Sequence, residues 1–341
     1  MAIVIVNPNP VFDRTIALER LVPGSVIRTE SVEVTAGGKG INVARVLRSL
    51  GIESSLLVPV GRGDREQYSA LLDAEGAQAT YFEVSGPIRV ASIYREHAED
   101  RVTVVNDAGF ALPPHEWSQF VDFAASRVHA QDVVLVMGSL PAGLPSDAAA
   151  ALVDALHARG AQVLIDTAPR WLQSALHHGP DVVAPNIHEA LAALDGAASS
   201  VFDDSSMSDE EHRVQAIELS RRIARVTGRI ACVTAGSAGV AVTTTDETWW
   251  VDAPSVDVVS AVGAGDSFVA GLATRWAADL SSGSSVNWEQ AARFGVACAA
   301  ASCEVVRAGG ADVDRIRDLD VAIASPVVVA GSAAESAGVG R

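Results

Sequence analysis

Cysteine is scarce in this chain: Cys232, Cys298 and Cys303 are its whole complement in 341 residues, and no two form C-x-x-C. An odd number argues against a disulfide framework, and the spacing argues against a zinc knuckle, so a reducing, cytoplasmic setting fits. Positive charge is not in excess. The formal net charge of −17 argues against nucleic acid and anionic membrane surfaces as partners. Long apolar runs are missing too. The opening Met1–Val6 stretch is short and lacks the basic flank of a signal peptide, and the apolar run from Val321 to Ala330 is interrupted by Pro326. What is present is a chain 49% hydrophobic, enough for a substantial core.

Strand and helix signals alternate along most of that chain. Ile3–Val6, Leu56–Val60, Val133–Met137, Gln162–Ile165, Val182–Ala184 and Ile230–Thr234 read as buried strands. Helical patterns run over Ile41–Leu50, ended by Gly51, and from a cap at Asp64 to Glu75. Others run over Ser146–Arg159, Trp171–His177, Ile187–Leu194 and Glu210–Val226. Such alternation predicts an α/β fold with a mainly parallel sheet covered by helices on both faces. Thr15–Val34 and Arg89–Val105 break the pattern. They read as strands of a small second sheet, discontinuous in sequence, able to act as a lid. The polar, acidic stretch Gly196–Glu211 reads as a solvated loop before a helix, and residues from 321 onward as a C-terminal tail, flexible at its Gly-, Ala- and Ser-rich end.

The most telling motif is Val262-Gly263-Ala264-Gly265-Asp266-Ser267-Phe268, which opens into a helix marked by Phe268, Leu272, Ala273 and Trp276. Glycines let amides approach a ligand, and a helix N-terminus offers unpaired N–H donors to an anion. A carboxylate on that turn would repel a phosphate. It makes sense if Asp266 removes a proton from a hydroxyl while the amides hold charge on a transferring phosphoryl group. The plainer alternative is a first-turn acid complementing the helix dipole.

Other turns follow predicted strands, where ligands of open α/β sheets bind. Gly37-Gly38-Lys39-Gly40-Ile41-Asn42 opens a helix and offers Lys39 as a point charge, with a lid hinge as the alternative. Asp13 and Ser139 stand where sugar hydroxyls or a phosphate could be met. Asn186 and Glu189 suit a mostly hydrated Mg²⁺ or, equally, a capping box. Thr234, Gly236 and Gly239 form a turn that could wrap nucleotide phosphates.

The order of these motifs resembles the ribokinase-like carbohydrate kinases, the PfkB family, over roughly residues 1–320. Gly-Gly-Lys-Gly-x-Asn and Gly-Ala-Gly-Asp are the two signatures. The branch that looks most similar comprises 1-phosphofructokinase and tagatose-6-phosphate kinase, through Asn9-Pro10-x-x-Asp13-x-Thr15, Asn42-Val43-Ala44, Gly138-Ser139-Leu140-Pro141 and Val256–Ser260. The resemblance implies a three-layer α/β/α sandwich with a small β-sheet lid from about 11–36 and 86–107, ATP and Mg²⁺ as cofactors, and a homodimer formed through the lid. It implies Asp266 as base, with Gly263, Ala264 and Gly265 completing the anion hole. Asp13, Gly38, Lys39 and Asn42 would bind the sugar, Arg89 and Ser139 its phosphate, Asn186 and Glu189 the Mg²⁺, and Thr234, Gly236 and Gly239 the ATP turn. Fructose 1-phosphate is the expected acceptor. Tagatose 6-phosphate, a neutral sugar or nucleoside, and a non-catalytic sensor role remain open alternatives. Ala184 and Ala261 depart from the residues common in the family, Lys and Thr, and so do Ala91 and Ile93 in the lid, where Asn and Lys are usual.

Overall fold

The computed structural model describes residues 1–29, 31–99, 101–196 and 207–329. The chain enters through β1 (Ile3–Val6), leaves for β2 (Val11–Leu18) and β3 (Ser31–Gly37), and returns by α1 (Lys39–Ser49). Then come β4 (Ser54–Gly61), α2 (Arg65–Ala74) and β5 (Ala79–Val84), followed by β6 (Arg89–Glu96) and β7 (Arg101–Asn106). After α3 (Pro114–Ser126) the strict alternation runs β8 (Val133–Met137), α4 (Ala148–His157), β9 (Gln162–Asp166), α5 (Pro169–Leu176), β10 (Val182–Val183) and α6 (Ile187–Asp195). The last part holds α7 (Asp209–Thr227), β11 (Ile230–Thr234), β12 (Gly239–Thr243), β13 (Thr248–Asp252), α8 (Ala264–Ser281), α9 (Trp288–Cys303), α10 (Val313–Ala322) and β14 (Val327–Val328).

Among the described residues ten strands form one sheet in the order β14-β13-β12-β11-β10-β9-β8-β1-β4-β5. It is parallel from β5 to β11 and antiparallel beyond. Strand periodicity builds two cores. Ile3 and Ile5 of β1 face a layer that includes Val46, Leu272 and Ala297 of α1, α8 and α9. Val4 and Val6 face the opposite layer, with Phe120, Leu152, Leu172 and Ile223 of α3, α4, α5 and α7. The result is the expected three-layer α/β/α sandwich, with a separate four-stranded sheet, β3-β2-β6-β7.

Local differences from the sequence reading have local causes. Helix α1 begins at Lys39, two residues early, because Gly38 at φ 119° supplies the cap. Asp64 sits at the α2 cap position, but its carboxylate accepts the Ile88 amide at 2.7 Å and so ties the start of the small sheet to the main domain. The acidic stretch lies largely outside the described residues. Its end, Asp209–Glu211, is the first turn of α7, closed by a Ser208–Glu211 capping box. Residues 321 and 322 finish α10, and Val327–Val328 pair with Trp249–Trp250 on the edge of the large sheet. Among the described residues no helix is long and apolar enough to cross a membrane.

Candidate active site

Close approach explains the glycines around the start of α1. A Cβ on Gly37 would lie 2.0 Å from the Asp13 carboxylate, and one on Gly40 2.7 Å from Asn7 Cβ. Asp13 of β2 is thereby laid against the turn that starts α1. Lys39, on the first turn, reaches across to the main sheet: Nζ donates to Asp166 Oδ1 at 2.7 Å and to Glu189 Oε1 at 3.0 Å. Three turns of separate origin thus meet at the C-terminal ends of the strands. One turn further, Asn42 Nδ2 donates to Asp266 Oδ2 at 2.8 Å.

Asp266 is 5% exposed, on the first turn of α8. Burial and the nearby Asp166 push its carboxyl up to about 7, against the pull of Lys39 and the Asn42 hydrogen bond. Burial also lifts Asp166 above the usual carboxylate range. Burial alone would lower the Lys39 ammonium, yet Asp166, Glu189 and Asp266 together hold it above its ordinary value. Gly263 caps α8 at φ 86°. Ser267 makes the first bond of the helix, to the Gly263 carbonyl at 2.9 Å, and the Ala264 amide turns onto Ala261 at 3.3 Å. Among the described residues the amides of Gly265 and Asp266 have no hydrogen-bond partner, so the open donors are these two and not Ala264.

Asn186 and Glu189 form a reciprocal capping box on α6, and Glu189 keeps its second oxygen on Lys39. Thr234 is joined to Asn186 by an isolated β-bridge, and its amide donates to Pro185. The flanking glycines differ in kind. Gly236 faces open space at φ 57°, whereas a Cβ on Gly239 would lie 2.2 Å from the Val251 carbonyl, so Gly239 serves the turn between β11 and β12.

Arg89 starts β6 in a small cleft it shares with Asn9, Gly61, Pro87, Phe110 and Pro141. Asn9 also donates to Ser139 at 3.1 Å, which brings Ser139 to the same corner. Burial depresses the Arg89 guanidinium below its ordinary value, while Asp13 and Asp107 oppose that shift. Its Nε is buried without a partner among the described residues. Asn7 Nδ2 and Thr167 Oγ1 are orphaned in the same way, beside Gly38 and Asp166 respectively. Buried polar atoms normally find partners; Gln215 Oε1 on α7 is a fourth such atom among the described residues. A larger open cleft, about 700 Å³, lies where β9, β10 and β11 begin, at the other end of the sheet. Its polar side chains pair with one another, His157 with Asp181 and His178 with Asp154, and no predicted site residue lines it.

Residues 7–314 match the profile of the pfkB family of carbohydrate kinases. The chain belongs to that family. It is 34% identical over 331 residues to 1-phosphofructokinase of Xanthomonas campestris, covering 96% of this chain and 97% of the relative. In fold it is similar to the tetrameric inhibited form of phosphofructokinase-2 from Escherichia coli, with a TM-score of 0.80, 23% identity and coverage of 94% and 98% of the two chains. Ribokinase of Thermotoga maritima follows at TM-score 0.66 and 19% identity, covering 93% and 98%. The protein is a carbohydrate kinase of ribokinase-like fold.

Sequence reasoning missed three parts of this candidate site. Asp166 ends strand β9, and reading that strand as closing at Ile165 left the carboxylate out of the account. Its signal was a lone acid directly after a buried apolar strand, at the end where the other motifs lie. Asn7 stands in the same position after β1, accepting the Gly40 amide at 3.2 Å. The loop at Ala308–Gly309 carries no motif of its own. It is wedged between the two signatures: a Cβ on Gly263 would meet Ala308 at 3.1 Å, and one on Gly309 would lie 2.5 Å from the Asn42 carbonyl. Gly309 also has φ 71°. Gly309→Ala is therefore expected to lower stability by about 1–3 kcal/mol and to weaken turnover as Asn42 is displaced. Denaturant unfolding checks the first part; a variant as stable and active as wild type contradicts the wedge.

Proposed function

We propose that this kinase transfers the γ-phosphoryl group of ATP to a hydroxyl of a sugar phosphate, with fructose 1-phosphate as lead acceptor and fructose 1,6-bisphosphate as product. The observation that carries the chemistry is Asp266, buried and hydrogen-bonded by Asn42, on the same helical turn as the open amides of Gly265 and Asp266. Asp266 takes the acceptor's proton as its oxygen attacks phosphorus in line. The amides and the α8 dipole receive charge on the transferred group. Asp13, Gly38 and Asn42 hold the sugar, and Arg89 and Ser139 its existing phosphate. Lys39, which bridges Asp166 and Glu189, joins Asp13, Gly38 and Asn42 in holding the sugar.

Thr234 and Gly236 flank the ATP phosphates. Asn186 and Glu189 have oxygen lone pairs beyond their capping box. Among the described residues no group of three or more His, Cys, Asp or Glu is arranged to hold an ion directly. That combination fits a largely hydrated Mg²⁺, which when bound shares the triphosphate charge. The choice of acceptor rests on the likeness to 1-phosphofructokinase and on Arg89. Tagatose 6-phosphate is the alternative, because Ala91 pairs beside Asp13 and Ile93 beside Thr15, on the strands that would meet the sugar. The small sheet exposes Val102, Val104 and Val105 on its edge strand, a surface we assign to pairing with a second lid. Light scattering giving a monomer mass would contradict that pairing.

The test is ADP release with Mg·ATP against fructose 1-phosphate, fructose 6-phosphate, tagatose 6-phosphate, fructose and ribose. The expected result is a preference of at least ~100-fold in kcat/KM for one phosphate ester over both neutral sugars, the size a charged hydrogen-bonded contact supplies. Activity confined to fructose or ribose would move the assignment to a neutral-sugar kinase.

A further inference from the structure

Arg45 lies one helical turn after Asn42 on α1, and its side chain is 11% exposed. Every branch of it is engaged. Nε and Nη2 pair with Glu75 at 2.7 and 3.0 Å, and Nη2 also donates to the Ala36 carbonyl at 2.6 Å. Nη1 donates to Asn42 Oδ1 at 2.9 Å and to the Ala308 carbonyl at 3.3 Å. Glu75 is held in turn by Arg307, so the guanidinium has no room to swing.

A guanidinium donates and cannot accept. The end of the Asn42 amide that faces it must be the carbonyl oxygen. The NH₂ end is then directed at Asp266 Oδ2, 2.8 Å away. A flipped amide would set NH₂ against the guanidinium and oxygen against the carboxylate, two repulsive contacts in a buried place. Around Asp266 the charged groups are Lys39 of α1, Asp166 of β9 and Glu189 of α6, two acids against one base. Asn42 supplies the neutral donor among them, so its orientation matters.

We propose that Arg45 is a positioning residue for phosphoryl transfer: by occupying Asn42 Oδ1 it keeps Asn42 Nδ2 on Asp266, which fixes the carboxylate and favours its charged, proton-accepting form. Because Arg45 also binds Ala36 at the end of β3 and Ala308 beside the Gly263 turn, one side chain ties the small sheet, α1 and the α8 turn together. The inference rests on Asp266 as the base.

The test is a titration of the full-length protein labelled with ¹³C at aspartate carboxyls, the Asp266 signal being the one lost in Asp266→Asn. Arg45→Lys keeps the charge but has one nitrogen where five acceptor oxygens wait. It is expected to raise the Asp266 midpoint by about one pH unit, a ~tenfold gain in proton affinity, and to move the acid limb of kcat/KM upward equally. Arg45→Met, which removes every donor, shifts it at least as far. In an Asn42→Ala background the same Arg45 substitutions are expected to leave the midpoint where Asn42→Ala alone puts it. An unmoved midpoint in the Arg45 variants, or an equal shift with and without Asn42, overturns the proposal. Failure of the underlying reading appears separately: the wild-type acid limb would then not follow the Asp266 carboxyl midpoint, whatever Arg45 does.

Discussion

Asp266→Asn is expected to lower kcat by about 10²–10⁴-fold, the range a general base contributes, with ATP and sugar phosphate still bound. The substitution is nearly isosteric. Its carbonyl oxygen can still accept Asn42 Nδ2, and the backbone amides of the α8 turn are untouched. What is lost is the capacity to take a proton. A second consequence follows from burial, which raises the folded-state carboxyl to about 7. The folded protein therefore holds this proton more tightly than the unfolded chain, whose carboxyl titrates near ~4. For such a group stability is complete below the unfolded value and falls as pH rises through the window from about 4 to about 7. The amide substitution removes that loss. Asp266→Asn is thus expected to melt above wild type at pH 8, with the advantage vanishing near pH 4. Melting curves at the two pH values check this. Near-normal turnover contradicts the base role, and a lower melting temperature at pH 8 contradicts the account of the buried charge.

Arg89→Ala is expected to raise KM for the sugar phosphate by about 10–100-fold and to leave KM for ATP near the wild-type value. A charge-assisted bond to a phosphate is of that size, and the guanidinium fork offers more than one. The orphaned Nε is the physical reason to expect a missing partner: a buried donor facing a cleft that also holds Asn9, which bonds Ser139. Arg89→Lys should recover only part of the loss, since an ammonium on a flexible stem does not reproduce the planar fork. Initial-rate kinetics with both substrates varied decide it. An unchanged KM for the phosphate ester would leave the phosphate role with other residues.

The two signature turns were legible because both needed glycine next to an unusual charge, and the structure supplies the contacts that require it. Gly37 lies against Asp13, and Gly263 against Ala308 and Gly309. The alternating strands were legible because each is apolar on both faces, as β1 is with Ile3 and Ile5 on one side and Val4 and Val6 on the other. What a linear reading could not give is pairing over distance. Lys39 and Asp166 are 127 residues apart, and Asn42 and Asp266 are 224 apart. Lys39 looked like a free charge awaiting a phosphate, whereas it is shared between two carboxylates. Asn186 and Glu189 looked like either a cap or a metal pair. The cap is formed, and Glu189 still has an oxygen for Lys39. Arg45 carried no signal at all, because its importance lies in the acceptors that β3, the end of α2 and the Ala308 loop bring to it beside Asn42 of its own helix.

The most direct test of the central claim is ³¹P NMR of wild-type enzyme with Mg·ATP and fructose 1-phosphate, run beside Asp266→Asn. The account predicts that fructose 1,6-bisphosphate appears in step with ADP in the first tube, with little in the second. ADP accumulating with inorganic phosphate and no new sugar ester, or equal product in both tubes, would contradict it.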